Sequence, residues 1–234
     1  MAQGGNLGQR ITDLIGSEYD TIPTYAGDLI NSAINEVADM ISEDLLLKHS
    51  RTPGILEANT EWLVEDRKIL KVTRVDADSS GIERECVYLD RTAFSVAQDS
   101  NSIYYATVNS PVYHLDTANA GAATLKIMPE PNDAGQRGRI WYYQYITSTA
   151  PDSDITDLTE AQVNTHLYLP NKLIHAIALK SSINILQSYL SDFIIDEEDS
   201  EMMQMIQTQL QGLKAEFQQE ISRFTDESGK PGAE

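Results

Sequence analysis

The spacing of apolar residues changes twice along this chain of 234 residues, and that change limits the folds it can adopt. In the first part, apolar side chains recur every three or four residues, as on one face of an α-helix. From about Trp62, short runs rich in β-branched and aromatic residues follow one another between turn-forming clusters. Helical spacing returns near Asp157. The sequence therefore predicts an α+β fold, with a helical bundle built from both ends of the chain and a central antiparallel sheet or small sandwich.

Two helices are predicted before the β-rich part. The first is expected to end near Gly16, and the second is expected to continue until Pro53-Gly54 stops it. Six strands are predicted after them, at 69–75, 85–89, 103–108, 112–115, 123–128 and 139–147. Many short strands with regularly spaced turns are typical of an antiparallel sheet.

The clearest single signal is the stretch 125–146, LKIMPEPNDAGQRGRIWYYQYI. It predicts a strand that ends at a Pro-x-Pro step, a polar turn, and an aromatic strand that returns. Arg137 and Arg139 are then expected at a hairpin tip, which is either simply solvated or reaches an acidic neighbour such as another copy of the chain. Trp141 and Tyr143 fall on one face of the returning strand. Because the other face is aromatic as well, we expect one of the two faces to contact another subunit or a tail protein.

The C-terminal part is predicted to be helical. Residues 169–190 are apolar on several sides, which predicts a covered helix, and 157–160 has the form of a capping box. The last helix has a narrow apolar seam at spacings of three and four. Its first half is interpreted as core. Its second half is interpreted as an interface formed by Phe217, Ile221 and Phe224 near the end of the chain, with packing of the whole seam on 169–190 as the alternative.

These patterns divide the chain into four parts. Residues 1–58 supply the first helices of the helical domain, 59–150 form the β-rich domain, and 151–225 complete the helical domain. Residues 226–234 are polar and contain glycine and proline, so a flexible tail is expected.

Charge narrows the range of partners. The chain has 17 Lys and Arg against 36 Asp and Glu, a formal net charge of −19. Such a surface repels nucleic acid and anionic membranes, and it fits either simple solubility or a partner with a basic patch. A single cysteine, Cys86, cannot form an intrachain disulfide, and no apolar run is long enough to span a membrane. The expectation is a protein made in the cytoplasm.

Enzymatic and metal chemistry are not expected. No phosphate-binding, dinucleotide-binding or nucleophile-elbow motif is present, and the four histidines have no zinc-like spacing. The acidic run 152–157 departs from a calcium loop at two key positions. Cys86 lies beside Glu85, which disfavours a thiolate, so a buried structural cysteine is predicted. We therefore expect no cofactor, no metal and no catalytic residues.

The order of these pieces resembles the head-to-tail adaptor proteins of tailed bacteriophages, also called connector or neck proteins. The matching stretches cover nearly the whole chain: RITDLIGSEYDTIPTYAGDLINSAINEVADMI, ECVYLDRTAF, IMPEPNDAGQRGRIWYYQY, LYLPNKLIHAIALKSSINILQSYL and EMMQMIQTQLQGLKAEFQQEI. The resemblance implies a structural virion protein at the portal vertex. Its implied partners are the portal protein, tail or neck proteins, and further copies of itself in a ring, usually a dodecamer. Viral DNA would pass through the ring without specific binding.

The same resemblance implies that a terminal helix grips the portal, a role that would fall on Phe217, Ile221 and Phe224. Two other interpretations remain open. One is another virion component, such as a tail-tube or tail-completion protein. The other is a cytosolic binding module or assembly chaperone that is absent from particles.

Overall fold

The computed structural model describes residues 5–16, 26–50, 53–57, 62–76, 81–119, 122–131, 136–147, 155–196 and 200–226. The predicted α+β class is confirmed. The chain divides into two compact units, one formed by Met1–His49 with Ile146–Glu234 and the other by Ser50–Tyr145. The predicted tail lies outside the described residues, apart from Asp226 at the end of the last helix.

The first unit is helical. Its helices are α1 (Leu7–Ile15), α2 (Ala26–Met40), α3 (Glu43–His49), α5 (Glu160–Leu167), α6 (Ile174–Asp196) and α7 (Ser200–Asp226). Short 3-10 turns at Ile155–Asp157 and Asn171–Leu173 precede α5 and α6. The second predicted helix is thus two helices, because the chain bends at Ile41 and Ser42 before Pro53 is reached.

Helix α6 is the centre of this unit, and α1, α2 and α7 all pack against it. It has buried residues on nearly every side in its first three turns, among them Ile177, Leu179 and Ile183. That burial explains the weak amphipathicity predicted for 169–190. Helix α1 is tied on at both ends. The amide of Leu7 donates to the carbonyl of Leu158 at 2.8 Å, and the Gln209 side chain donates to the carbonyls of Leu14 and Ile15.

Two polar contacts fix the helical unit locally. The Asn35 side chain accepts from the Ile146 amide and donates to its carbonyl, both at 2.9 Å, so it replaces a strand partner where the chain returns to the helices. At the start of α5 the expected cap is shifted by two residues. The Thr159 amide donates to Oε1 of Gln162 at 2.9 Å, so Thr159 rather than Asp157 is the capping residue.

Lys180 on α6 bonds Glu36 on α2, with Nζ and Oε2 2.6 Å apart. Partial burial alone would raise the pKa of Glu36. Hydrogen bonds from Lys180, Ser32 and Asn184, together with the Lys180 charge, outweigh that effect and hold the pKa below its usual value of 4.5. A carboxylate with a lowered folded pKa stabilises the protein above its unfolded pKa, and that stabilisation is lost as the pH falls through the folded value.

We therefore expect Glu36→Gln to destabilise the helical unit by about 0.5–1 kcal/mol at neutral pH, a size reduced by the partial exposure of the pair. The difference from the wild type should shrink below about pH 4. Urea unfolding followed by far-UV CD at several pH values measures it. A double-mutant cycle with Lys180→Met is the control, and additive effects of the two substitutions would contradict the expectation.

The second unit holds the strands: β1 (Gly54–Leu56), β2 (Trp62–Leu63), β3 (Arg67–Asp76), β4 (Ile82–Glu85), β5 (Val87–Tyr88), β6 (Val112–Asn119), β7 (Ala122–Met128) and β8 (Arg137–Gln144). They form two four-stranded sheets, in the orders β1-β8-β3-β4 and β2-β7-β6-β5. One apolar cluster joins residues of both sheets: Leu56, Val72 and Ile140 from the first and Leu125 and Ile127 from the second.

One predicted strand is wrong. Residues 103–108 form turns, and a helix, α4 (Arg91–Gln98), precedes them. The reason lies in the pairing of β5 with β6, which is parallel, whereas the other strand pairs are antiparallel. A parallel pair needs a crossover of a dozen or more residues, commonly a helix. Asp90 caps that helix by accepting from the Ala93 amide at 2.8 Å.

Candidate interaction surfaces

Arg137 and Arg139 do not lie at a hairpin tip. Both belong to β8, where Arg137 is opposite Val75 and Arg139 is opposite Thr73 on β3. Nη1 of Arg139 donates to Oε2 of Glu83 on β4 at 2.8 Å. The predicted turn at 132–135 lies outside the described residues. Arg139 thus already has a carboxylate partner within its own chain, and its proposed role at a subunit or tail interface stays a prediction.

Trp141 and Tyr143 share one face of β8. Tyr143 is buried, with its ring edge-on to Tyr145 at a centroid distance of 5.7 Å. Trp141 is half-buried, and the Lys71 ammonium lies 6.0 Å from its ring centroid. Of these two interface candidates, only Trp141 has an appreciable exposed surface in the single chain.

The opposite face of β8 holds an aromatic cluster that sequence analysis missed. Trp62 meets Tyr142 edge-on at 4.9 Å between centroids, and the Arg67 guanidinium lies over both rings at 4.7 and 5.2 Å. Nε of Arg67 donates to Oε1 of Gln144 at 2.9 Å. The attraction between the guanidinium and each ring face stabilises the position of all three side chains. Since Trp62 is far from Tyr142 in the sequence, no local pattern could have indicated the cluster.

A buried arginine was missed as well. Arg74 on β3 is 3% exposed, and it donates to the Pro129 carbonyl and to Oε1 of Gln136, each at 2.8 Å. It therefore bonds one residue just after β7 and one just before β8. Arg84 lies directly opposite on β4, and each arginine has a buried Nη1 without a hydrogen-bond partner among the described atoms.

Cys86 lies between β4 and β5, where the chain passes from one sheet to the other. The prediction of a buried structural cysteine is confirmed. Burial, reinforced by Glu85 and only partly opposed by Arg74, raises the pKa of the thiol to about 12. A thiol of that pKa holds almost no thiolate at neutral pH, and the thiolate is the reactive form.

We therefore expect native protein to react with a disulfide exchange reagent at least about a hundredfold more slowly than the urea-unfolded chain, since both pKa and access oppose reaction. Absorbance of the released thiolate measures the two rates. Equal rates in native and unfolded protein would contradict the burial of Cys86.

The histidines have separate partners. His49 bonds Asn164, His114 bonds the Leu89 carbonyl, His166 bonds the Gln162 carbonyl, and His175 bonds Glu216. Within the described ranges, no group of three or more His, Cys, Asp or Glu side chains is placed to hold a metal ion. Part of the calcium-like run, 152–154, lies outside those ranges.

The proposed portal-gripping residues lie on the apolar face of α7. Phe217 is 8% and Phe224 is 9% exposed, whereas Ile221 is half-buried. Helix α7 packs on α6, so the two phenylalanines belong to the core of the helical unit. The face of this turn that remains accessible is polar, with Gln218, Gln219 and Ser222. A portal contact by Phe217, Ile221 and Phe224 stays a prediction.

An open groove of about 440 Å³ lies between α6 and α7. Its polar lining includes Gln187, Gln207, Gln211 and Lys214, and its apolar lining includes Leu210. The three amide side chains offer hydrogen bonds, and Lys214 adds a positive charge. The groove is thus a second polar surface on the same helix pair.

The last surface is the loop that follows α4. Residues 99–110, here called the α4 loop, carry Ile103, Tyr104 and Tyr105, and all three side chains are exposed. The predicted strand at 103–108 would have placed alternate residues of this stretch inside. The structure instead places three consecutive large apolar side chains at the surface.

None of the helices in the described part of the chain is both long and apolar enough to cross a membrane. Comparison with family models, with curated proteins and with solved structures finds no match to this chain.

Proposed function

We propose that this protein is a structural component of a tailed-phage virion, a head-to-tail adaptor whose copies form a ring on the portal and extend the DNA channel. The observation that carries the proposal is the order of elements along the chain. A helical unit is built from both ends, and a β-rich unit of Ser50–Tyr145 is inserted between them. This is the order in which the chain resembles the adaptor family.

Charge supports the proposal independently. A channel wall must let DNA slide without holding it, and DNA is held mainly by Lys and Arg at phosphates. The formal net charge of the chain is −19. Many of its few cations are already bonded to carboxylates, including Arg10, Lys71, Lys126, Arg139, Lys180 and Arg223. Because these cations are paired, the surplus of carboxylates determines how the surface interacts with DNA.

In this proposal the protein acts by binding and geometry rather than by catalysis. The partners are the portal protein on one side, tail or neck proteins on the other, and further copies in a ring, taken as a dodecamer to match the portal. Ring contacts between identical subunits are heterologous, with one patch of each copy meeting a different patch of the next. The protein requires no cofactor and resides at the neck of the virion.

The test is to mix the purified full chain with portal rings from the same source and to image the product by cryo-EM. We expect added density that caps the portal with matching symmetry, and the portal alone is the control. Failure to form a complex, together with absence of the protein from purified particles, would overturn the proposal. A soluble binding module would then be the better interpretation.

A further inference from the structure

Exposed apolar side chains are concentrated in one stretch of this protein. Among the described residues, ten large apolar side chains are exposed, and seven of them lie between 82 and 105. Ile103 is 90% and Tyr104 is 72% exposed. Single exposed apolar residues are common on protein surfaces, whereas a concentration of them marks an interaction site.

The α4 loop holds these side chains in a fixed backbone conformation. The Asn101 and Ser102 amides donate to the side chain and the carbonyl of Asp99, each at 2.9 Å. The Tyr105 amide donates to the Ser102 carbonyl at 3.1 Å, and the Ala106 amide returns to the Ala97 carbonyl of α4 at 2.9 Å. Because the loop is already ordered, its binding to a partner does not carry the added entropy cost of ordering a loop.

The edge strand β5 is connected to the same small apolar core as the α4 loop. A small core of Phe94, Ala97, Ala106 and Val112 lies under α4 and its loop. Val112 on β6 also pairs with Val87 on β5. Strand β5 is the edge of its sheet, and its two residues, Val87 and Tyr88, are both exposed. An apolar edge strand next to an apolar loop is a ready surface for association.

The size of this surface suits a protein partner. At roughly 150–200 Å² for a full side chain, the exposed parts of Val87, Tyr88, Val96, Ile103, Tyr104 and Tyr105 amount to about 600 Å². One partner contributes about 800 Å² to an interface of standard size. Summed over these side chains, the exposed area approaches one side of such an interface. Val87 and Tyr88 are consecutive in β5 and point to opposite faces, so the α4 loop supplies the continuous part of the surface.

The absence of charge in this stretch is compatible with a second copy of the chain as the partner. Residues 100–113 contain no Asp, Glu, Lys, Arg or His, in a chain whose formal net charge is −19. Two copies of so acidic a chain repel each other over most of their surface. An uncharged patch removes like-charge contacts where two copies touch, so the repulsion that remains is of long range and is screened by salt. Tyrosine supplies apolar area with a polar end.

We propose that the α4 loop and the β5 edge form a contact surface for a second copy of this chain. The choice of occupant rests on the proposed ring, since every subunit of a ring must contact the next copy. The loop supplies one patch of the heterologous subunit contact, through Ile103, Tyr104 and Tyr105. Arg139, whose guanidinium is already bonded to Glu83, is not needed for it.

Sedimentation equilibrium of the full chain tests the contact over a range of concentrations, in low and high salt. We expect the average mass of the wild type to rise with concentration, and to rise further with salt, because salt screens repulsion between the acidic copies. The double substitution Ile103→Asp with Tyr104→Asp should weaken association at least about tenfold. Met205→Asp, at an exposed site on α7, is the matched control and should associate as the wild type does.

A spin label provides a second measurement that does not depend on weakening the contact. Since Cys86 is buried, a cysteine introduced by Ile103→Cys is the accessible one. We expect the label at 103 to become immobile as the copies associate, while a label at Met205→Cys stays mobile. Unchanged CD spectra and unfolding curves show that each variant folds.

Three outcomes with the free protein overturn the inference: a wild type that stays monomeric at every concentration and salt, a double variant that associates equally well, or flotation of the wild type but not the variant with neutral phosphatidylcholine vesicles. The last would assign the patch to a membrane. Failure of the adaptor proposal is distinguished from failure of this contact surface by portal binding. If the double variant caps the portal as a complete ring, only this surface is wrong. If copies associate through the α4 loop but never bind the portal, the adaptor proposal is wrong.

Discussion

Replacing Gly138 by alanine is expected to destabilise the β-rich unit by about 1–3 kcal/mol, the usual range for overpacking a well-filled core. Gly138 lies in β8, between Leu56 on β1 and Arg74 on β3. A Cβ at this position would collide with Cδ1 of Ile127 on β7 and lie 3.1 Å from Cβ of Leu56. Since Ile127 and Leu56 are both buried, neither has an easy way to move aside.

The two tryptophans make this effect measurable in one unit alone. Trp62 and Trp141 both belong to the β-rich unit, so their fluorescence reports its unfolding, and far-UV CD is dominated by the helices. Gly138→Ala should lower the urea midpoint seen by fluorescence.

Gly212→Ala is the matched control. A Cβ there meets nothing within 4 Å in α7, so this change should stabilise the helical unit by about 0.5–1 kcal/mol. The same sign for both substitutions would contradict the packing described for Gly138.

Replacing Phe217 by alanine is expected to cost the helical unit about 3 kcal/mol, because truncating a buried phenylalanine removes its transfer energy and leaves a cavity. The side chain is 8% exposed on α7, the helix that packs along α6. Met205→Ala on the exposed face of the same helix should change stability by less than about 0.5 kcal/mol. Urea unfolding followed by far-UV CD measures both.

This comparison also decides how the portal-binding proposal must be tested. If Phe217→Ala reduces portal binding and unfolds α7 together, the loss does not identify a contact. Substitutions on the polar face, such as Gln218→Glu, leave the core intact and report on a contact alone. Wild-type stability in Phe217→Ala would show that this side chain is not part of the core, and the interface role would then gain support.

Much of the fold could be predicted from the sequence because it depends on the local spacing of apolar and turn-forming residues. The apolar positions Leu7, Ile11 and Ile15 predicted α1, and all three are buried. The Pro-x-Pro step correctly marked the end of β7 at Met128. Spacing of this kind works because one face of each element meets a core, whichever core that is.

The errors share a different cause. Ile103, Tyr104 and Tyr105 have high strand propensity, yet Asp99 and Ser102 hold this stretch in turns. Phe217 gave an ambiguous signal because an apolar seam looks the same whether its partner is α6 or another protein. No local pattern marks Arg74 as buried, because its partners, the Pro129 carbonyl and Gln136, are distant from it along the chain. Local side-chain hydrogen bonds decided the first case, and contacts between residues distant in sequence decided the other two.

The helical unit has an unusual order of completion during synthesis. Helices α1 and α2 emerge from the ribosome first, yet both pack on α6, which begins at Ile174. At about 5–20 residues per second, their apolar faces stay uncovered for on the order of ten to thirty seconds. All the strands that follow α2 are made within that interval, so the β-rich unit can complete its sheets first. In a nascent chain, the β-rich unit can therefore be complete before α1 and α2 have packed on α6.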